Sequence, residues 1–180
     1  MASQGVDDHA VMFCRTDAEL ADAAHEYLLG SLRRGGAAIA VATLPHLRQI
    51  DQRLAEAGID LTVARASGAY LTMDASTTMA EFLSGGWPDP AAFWRTISPV
   101  VGRAASGRRP VCVFGEMVSL LWAAGQCTAA IEVEALSTEL ARQHQFSLLC
   151  AYLGASATGP DLDDELALVV AAHTRIASAG

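Results

Sequence analysis

Lysine and asparagine are both missing from this chain of 180 residues, so all twelve basic residues are arginine. Without lysine the chain can form no Schiff base with a carbonyl substrate. It also has no P-loop lysine to reach the β- or γ-phosphate of a nucleotide. These absences count against lysine-based carbonyl chemistry and against P-loop nucleotide hydrolysis.

A basic surface is missing as well. The formal net charge is −8, and the charges are spread along the chain. The basic pairs Arg33-Arg34 and Arg108-Arg109 both lie in predicted turns. A nucleic-acid-binding face needs clustered arginine or lysine to neutralise phosphates. We therefore expect no direct binding to nucleic acid.

The chain has no apolar run that approaches the 18 residues of a membrane-spanning helix. Its first residues, MASQGVDDHAV, contain an acidic pair and no basic region, which is unlike a signal peptide. We therefore predict a cytoplasmic protein without membrane association.

None of the four cysteines forms a Cys-x-x-Cys pair. Three of them lie in apolar, strand-like runs, where a free thiol packs as a small hydrophobic side chain. We therefore expect buried, reduced cysteines, and in particular that Cys112 and Cys150 are unpaired.

The residues that are present predict an α/β fold. Hydrophobic residues make up 52% and charged residues 18%, as expected for a globular domain. Short apolar runs alternate with helical periods, which favours a single domain over 1–180, with a core at about 9–177 and a mostly parallel sheet flanked by helices. Predicted strands cover 10–13, 37–43, 61–66, 69–74, 111–114 and 146–153. Predicted helices cover 17–34, 45–57, 77–84, 90–105, 116–124, 127–144 and 164–177.

Ligands of such sheets bind beyond the carboxyl ends of the strands. Those ends carry Thr43 and His46, Asp74, Glu116 and Tyr152. The segment VFGEMVSLLWAAG places Glu116 directly after a buried strand and one glycine. Glu116 either complements the dipole of the following helix or faces a shared pocket with His46. If it is buried, a histidine or arginine must lie near it, because an unpaired buried charge is costly.

Other candidate residues are less clearly marked. Trp122 is either a packing residue or part of a ligand pocket, and Glu134 flanks the apolar face of its helix. A metal site could combine His9, His46 and His173, but no ligand spacing marks one. We therefore predict neither a metal nor another cofactor.

Three segments resemble the MEDS family, the sensory domain named from methanogens, methylotrophs and the dichloromethane regulator DcmR. They are HAVMFCRTDAELADAAHEYLLGSLRRGGAAIAVATLPH, VCVFGEMVSLLWAAG and FSLLCAYL. The resemblance implies a degenerate RecA/KaiC-like three-layer sandwich without a P-loop. ATLPHLRQI, after the second predicted strand, fits this, because it has neither a glycine nest nor a lysine.

The resemblance also implies a non-catalytic sensory or regulatory domain that binds a small organic molecule. Its output would be a regulatory protein partner, such as a kinase, an anti-sigma system or a transcription regulator, and homodimer formation is left open. An active RecA/KaiC-like ATPase and an interaction module with a vestigial pocket are the alternatives. From the residues and the resemblance together, the predicted ligand-binding residues are His9, Thr43, His46, Glu116, Trp122, Glu134, Tyr152 and His173. We expect His9 and His173 at the same end of the sheet as Glu116.

Overall fold

A computed structural model describes residues 9–154 and 164–177 of the chain. The strands are β1 His9–Cys14, β2 Ala37–Ala42, β3 Tyr70–Asp74, β4 Leu83–Ser84, β5 Trp87–Pro88, β6 Val111–Gly115, β7 Ser147–Leu153 and β8 Arg175–Ala177. Six of them form one sheet in the order β3-β2-β6-β7-β1-β8, and every neighbouring pair is parallel. β4 and β5 form a separate antiparallel hairpin.

Helices cover both faces of the sheet. They are α1 Asp17–Arg33, α2 Leu44–Glu56, α3 Leu61–Ala66, α4 Ala75–Ala80, α5 Pro90–Ala105, α6 Met117–Ala123, α7 Cys127–His144 and α8 Asp164–Ala172. The first three pack on one face and the other five on the opposite face. The predicted α/β class, with a parallel sheet in a three-layer sandwich, is confirmed.

The central strands are apolar because they are covered on both sides. Every residue of β2 and β6 is buried. Alternate residues of each strand point to opposite faces, so Phe114 packs towards α1–α3 while Val113 packs towards α4–α8. Continuous apolar runs of this kind are typical of parallel sheets between helical layers.

Two cysteine predictions concern these central strands, and the structure confirms both. Cys112 in β6 and Cys150 in β7 are buried and free. Burial raises the pKa of the Cys112 thiol to about 12, because the thiolate would lose its hydration. Cys112 is therefore an inert packing residue at neutral pH.

The predicted strand over 61–66 is wrong, since these residues form α3. The Asp60 carboxylate accepts a hydrogen bond from the Val63 backbone N–H at 3.0 Å and so begins the helix. Thr62 and Val63 suggested a strand because they are β-branched. Val63 is 62% exposed, however, while Ala64 is buried, so the segment is a short surface helix and not a core strand.

Three further predicted elements need correction. The helix placed at 77–84 is α4, which begins earlier because the Asp74 carboxylate caps the Thr77 N–H at 2.8 Å. The predicted loop over 84–90 contains part of the β4–β5 hairpin. The predicted closing helix ends at Ala172, and β8 then pairs with β1 as an edge strand.

Within the described residues, no helix combines the length and the apolar character that crossing a bilayer requires. Because the six sheet strands are parallel, their carboxyl ends lie along one edge. The turns that leave this edge are short: Arg15 and Thr16 separate β1 from α1, and Thr43 alone separates β2 from α2. Residues at the starts of these helices are thereby held close to the sheet.

Candidate functional site

Glu116 lies at the carboxyl edge of the sheet, between β6 and α6, and is buried. Its Oε1 lies 2.8 Å from His46 Nδ1, and its Oε2 accepts a hydrogen bond from the Thr43 backbone N–H at 3.0 Å. The Thr43 hydroxyl lies 3.0 Å from the same His46 nitrogen. The carboxylate is therefore paired with a histidine from the neighbouring strand end, as its burial requires.

Asp17, the first residue of α1, completes this group. Its Oδ1 lies 3.2 Å from His46 Nε2, so both ring nitrogens of His46 face carboxylate oxygens. Both nitrogens can donate only when the ring is protonated. The hydrogen bond with Glu116 raises the pKa of His46 and outweighs burial, which would lower it; the charges of Glu116 and Asp17 act in the same direction as the hydrogen bond.

A cleft of about 510 Å³ opens above this group. It is lined by Asp17, Thr43, Leu44, Pro45, His46, Asp74 and Ser76. The polar lining consists of carboxylates, hydroxyls and one histidine held by carboxylates, and it includes no arginine. Leu44 and Pro45 add apolar surface, and Leu44 is 55% exposed.

The geometry distinguishes between the two interpretations of Glu116. As the N-cap residue of α6, its side chain makes no hydrogen bond to the helix. Instead it lies across the strand ends and contacts Thr43 and His46. Gly115 is not required by the turn, because a Cβ there would meet only Cys150 Sγ at 3.9 Å, an ordinary contact. Glu116 is therefore buried behind Thr43 and His46, which line the cleft, and does not only complement a helix dipole.

A second polar cluster lies inside the protein, between the sheet and α7. We call it the buried cluster: His9, Glu134, Cys150 and His173. Glu134 Oε2 lies 3.2 Å from His9 Nε2 and 3.4 Å from His173 Nε2, and His9 Nε2 lies 3.4 Å from Cys150 Sγ. The two imidazole rings have centroids 4.1 Å apart.

Tyr152 and the two histidines fix the state of Glu134. The Tyr152 hydroxyl donates to Glu134 Oε1 at 2.9 Å. Burial would raise the pKa of Glu134, but the proximity of His173 and His9 outweighs it and lowers the pKa to about 2. Glu134 is therefore a carboxylate at neutral pH. Its charge, together with burial, raises the pKa of the Cys150 thiol.

Trp122 lies beside the buried cluster and not in the cleft. Its ring packs edge-to-face on Tyr152, with centroids 5.5 Å apart. Trp122 is partly exposed, whereas Tyr152 is fully buried. The contact is a packing arrangement typical of aromatic pairs.

The predicted residues thus divide into two groups. Thr43, His46 and Glu116 converge at the carboxyl edge of the sheet, as predicted; Thr43 and His46 line the cleft, and Glu116 is buried behind them. The expectation that His9 and His173 share that pocket is wrong: His9 begins β1, at the amino edge of the parallel sheet, and both histidines contact Glu134. Ligand binding by any of these residues stays a prediction.

Asp17 and Thr138 contact these groups but are not among the residues predicted from the sequence. Asp17 begins the helix after β1, so the rule that selected Thr43 and Glu116 also applies to it. Thr138 lies one helical turn after Glu134, and its hydroxyl donates to the Glu134 carbonyl at 2.8 Å. Its contact with His9 Nδ1 at 2.9 Å has no sequence signal, because 129 residues separate the two.

ATP is expected not to bind with micromolar affinity. A phosphate loop needs about six residues between strand and helix, with a lysine at its end. In the described part of the chain, β1, β2 and β6 are each followed by a helix after at most two residues. Calorimetric titration with Mg-ATP should give no saturable heat, and a micromolar Kd would contradict the prediction.

The comparisons with known proteins place the chain in a family. No curated protein matches it. The family model of MEDS, described as the MEthanogen/methylotroph, DcmR Sensory domain, matches residues 8–171. This match spans both the cleft and nearly all of the buried cluster. The chain therefore belongs to the MEDS family of sensory domains.

Proposed function

We propose that the chain is a non-catalytic regulatory domain that binds a small organic molecule in the cleft and signals to a partner protein. The observation that carries the proposal is the cleft with the buried Glu116–His46 pair at its edge. A preformed concave site with a few convergent polar groups is the usual form of a small-molecule site. The family's description as a sensory domain supports the same role.

The lining indicates the chemical class of the ligand. Asp17 and Asp74 supply carboxylates, and Thr43 and Ser76 supply hydroxyls. An anionic ligand would face these carboxylates without an arginine among the lining residues to offset them. We infer a neutral or cationic molecule with N–H or O–H donors and a short apolar part that contacts Leu44.

The signal would arise from the three helices that Glu116, His46 and Asp17 connect. Glu116 precedes α6, His46 lies in α2, and Asp17 begins α1. A ligand that bonds to Asp17 or His46 changes the contacts between three separate helices. Hydrogen exchange with and without ligand should then show altered protection at the starts of α1, α2 and α6, where a partner protein would detect it.

Asp74→Asn tests the ligand site, and Asp60→Asn is its matched control. Both aspartates cap short helices, and asparagine is an equally good cap, so both variants should fold. Only Asp74 lines the cleft. In a thermal-shift screen, small alcohols, amides and amines are expected to raise Tm in the wild type and in the control. The shift should be smaller in Asp74→Asn, because at a fixed ligand concentration a weaker ligand stabilises the folded protein less.

Two results would contradict this assignment. One is that only carboxylates or phosphates raise Tm. The other is that neutral or cationic ligands bind Asp74→Asn and wild type equally well. Native mass spectrometry of the purified protein adds an independent readout, because a retained small molecule can be identified by mass.

A further inference from the structure

The buried cluster contains two polar atoms that have no hydrogen-bond partner among the described residues. They are Glu134 Oε2 and His173 Nε2, both shielded from solvent. They lie 3.4 Å apart, but their orientation does not form a hydrogen bond. Buried polar atoms are nearly always partnered, so an orphaned carboxylate oxygen beside an orphaned imidazole nitrogen indicates a missing ligand.

The Nδ1 atom of each histidine in the buried cluster already has a hydrogen-bond partner. His173 Nδ1–H donates to the Val169 carbonyl at 2.6 Å, so in the neutral ring, the form that binds a metal ion, the lone pair lies on Nε2. His9 Nδ1 contacts the Thr138 hydroxyl, whose only hydrogen is donated to the Glu134 carbonyl. The hydroxyl therefore accepts from His9 Nδ1–H, and the lone pair of His9 also lies on Nε2. With both rings neutral, as metal binding requires, both lone pairs face Glu134 Oε2, at 3.2 Å from His9 and 3.4 Å from His173.

We propose that His9, Glu134, Cys150 and His173 together bind one divalent transition-metal ion, for which Zn²⁺ is the best match. One donor atom from each of the four lies within 4.8 Å of every other. Tetrahedral zinc with bonds of about 2.0–2.3 Å places neighbouring ligand atoms about 3.3–3.8 Å apart. Three of the six donor pairs already lie at 3.2, 3.4 and 3.4 Å, and the other three lie within 4.8 Å, so the donors need to move closer together at some pairs to hold the ion.

The chemistry and the surroundings fit such an ion. Two imidazoles, a thiolate and a carboxylate are the donors that zinc and its first-row neighbours accept. The Tyr152, Thr138 and Val169 contacts hold the ligands in position, as outer-shell partners do in metal sites. As the metal–sulfur bond forms, the Cys150 thiol loses its proton to solvent. The four donors leave no position for a substrate, so the site is structural, and it is independent of the cleft proposal.

Cobalt and zinc binding to the full chain, without an affinity tag, tests the site. Chelator-treated protein is expected to take up one Zn²⁺ or one Co²⁺ per chain. With Co²⁺ it should show the absorption of tetrahedral cobalt and a sulfur-to-cobalt charge-transfer band. Cys150→Ala should abolish that band, and His173→Gln should weaken binding at least tenfold. Tyr152→Phe should weaken it about 10–100-fold through the loss of an outer-shell contact.

Two control variants carry the same kinds of substitution outside the buried cluster, so they show whether the substitution alone changes metal binding. Cys112→Ala makes the same change in a neighbouring buried strand, and His144→Gln changes an exposed histidine of α7. Both should bind Co²⁺ as the wild type does. X-ray absorption of the zinc-loaded wild type needs no variant and should give one sulfur and three nitrogen or oxygen ligands. The proposal is overturned if the wild type binds no metal at micromolar concentrations, if zinc has no sulfur ligand, or if binding survives Cys150→Ala and His173→Gln unchanged.

Discussion

Phe114→Ala is expected to lower the free energy of unfolding by about 3–5 kcal/mol, the usual cost of removing a buried phenylalanine ring. Phe114 lies in β6, between β2 and β7, and is 0% exposed. Helices on one face and strands on either side leave little room for the cavity to collapse. Urea unfolding followed by circular dichroism measures the change.

Leu168→Ala is the control for Phe114→Ala, because Leu168 in α8 is 57% exposed. Its unfolding free energy should stay within about 0.5 kcal/mol of the wild type. Natural domains have only about 5–15 kcal/mol of stability, so Phe114→Ala should also lose a large share of its folded population at moderate temperature. A loss below about 1.5 kcal/mol would mean that β6 is not at the centre of the core.

Glu116→Gln is expected to destabilise the protein by about 1–3 kcal/mol, because the buried His46 loses its buried carboxylate partner and keeps only the exposed Asp17. The amide keeps the size of the side chain, so packing contributes little. Glu26→Gln is a suitable control, since Glu26 is exposed on α1. An equal, small effect in both variants would assign Glu116 to the helix dipole alone.

The difference in unfolding free energy between the wild type and Glu116→Gln should depend on pH. Glu116 raises the pKa of His46, so the pair stabilises the folded state most when the histidine is protonated in both folded and unfolded chains. That contribution is fully present below the ordinary histidine pKa of about 6.5 and is lost as pH rises through the higher folded value. Urea unfolding measured from about pH 6 to about pH 9 should show that the difference in unfolding free energy between the two proteins becomes smaller. A difference that becomes larger with rising pH would contradict the pairing of Glu116 with a protonated His46.

Much of the cleft could be predicted from the sequence. Continuous apolar strands indicated a parallel sheet, and a parallel sheet brings the residues after its strands to one edge. His46 and Glu116 are 70 residues apart, yet this rule placed them together. The same rule does not apply to His9, which is the first residue of its strand and so lies at the amino edge of the sheet, and this is why its placement beside Glu116 was wrong.

The buried cluster could not be predicted, because no local spacing marks it. Its residues come from the start of β1, the middle of α7, the middle of β7 and the segment after α8. Only the pairing of β1 with β7, in which His9 lies opposite Leu148, brings His9 and Cys150 to the same face. The strand predicted at 61–66 failed for the opposite reason: β-branched residues outweighed the capping aspartate, a local signal that was present.

The position of β1 in the sheet has a consequence for the order of folding. β1 lies between β7 and β8, so the first of the described sheet strands along the chain pairs with the last two of them. During synthesis β2 and β3 can pair early, whereas both edges of β1 stay unpaired until about 140 further residues have been added. Sheet completion therefore requires the longest loop closure in the fold, which favours slow folding and early dependence on chaperones.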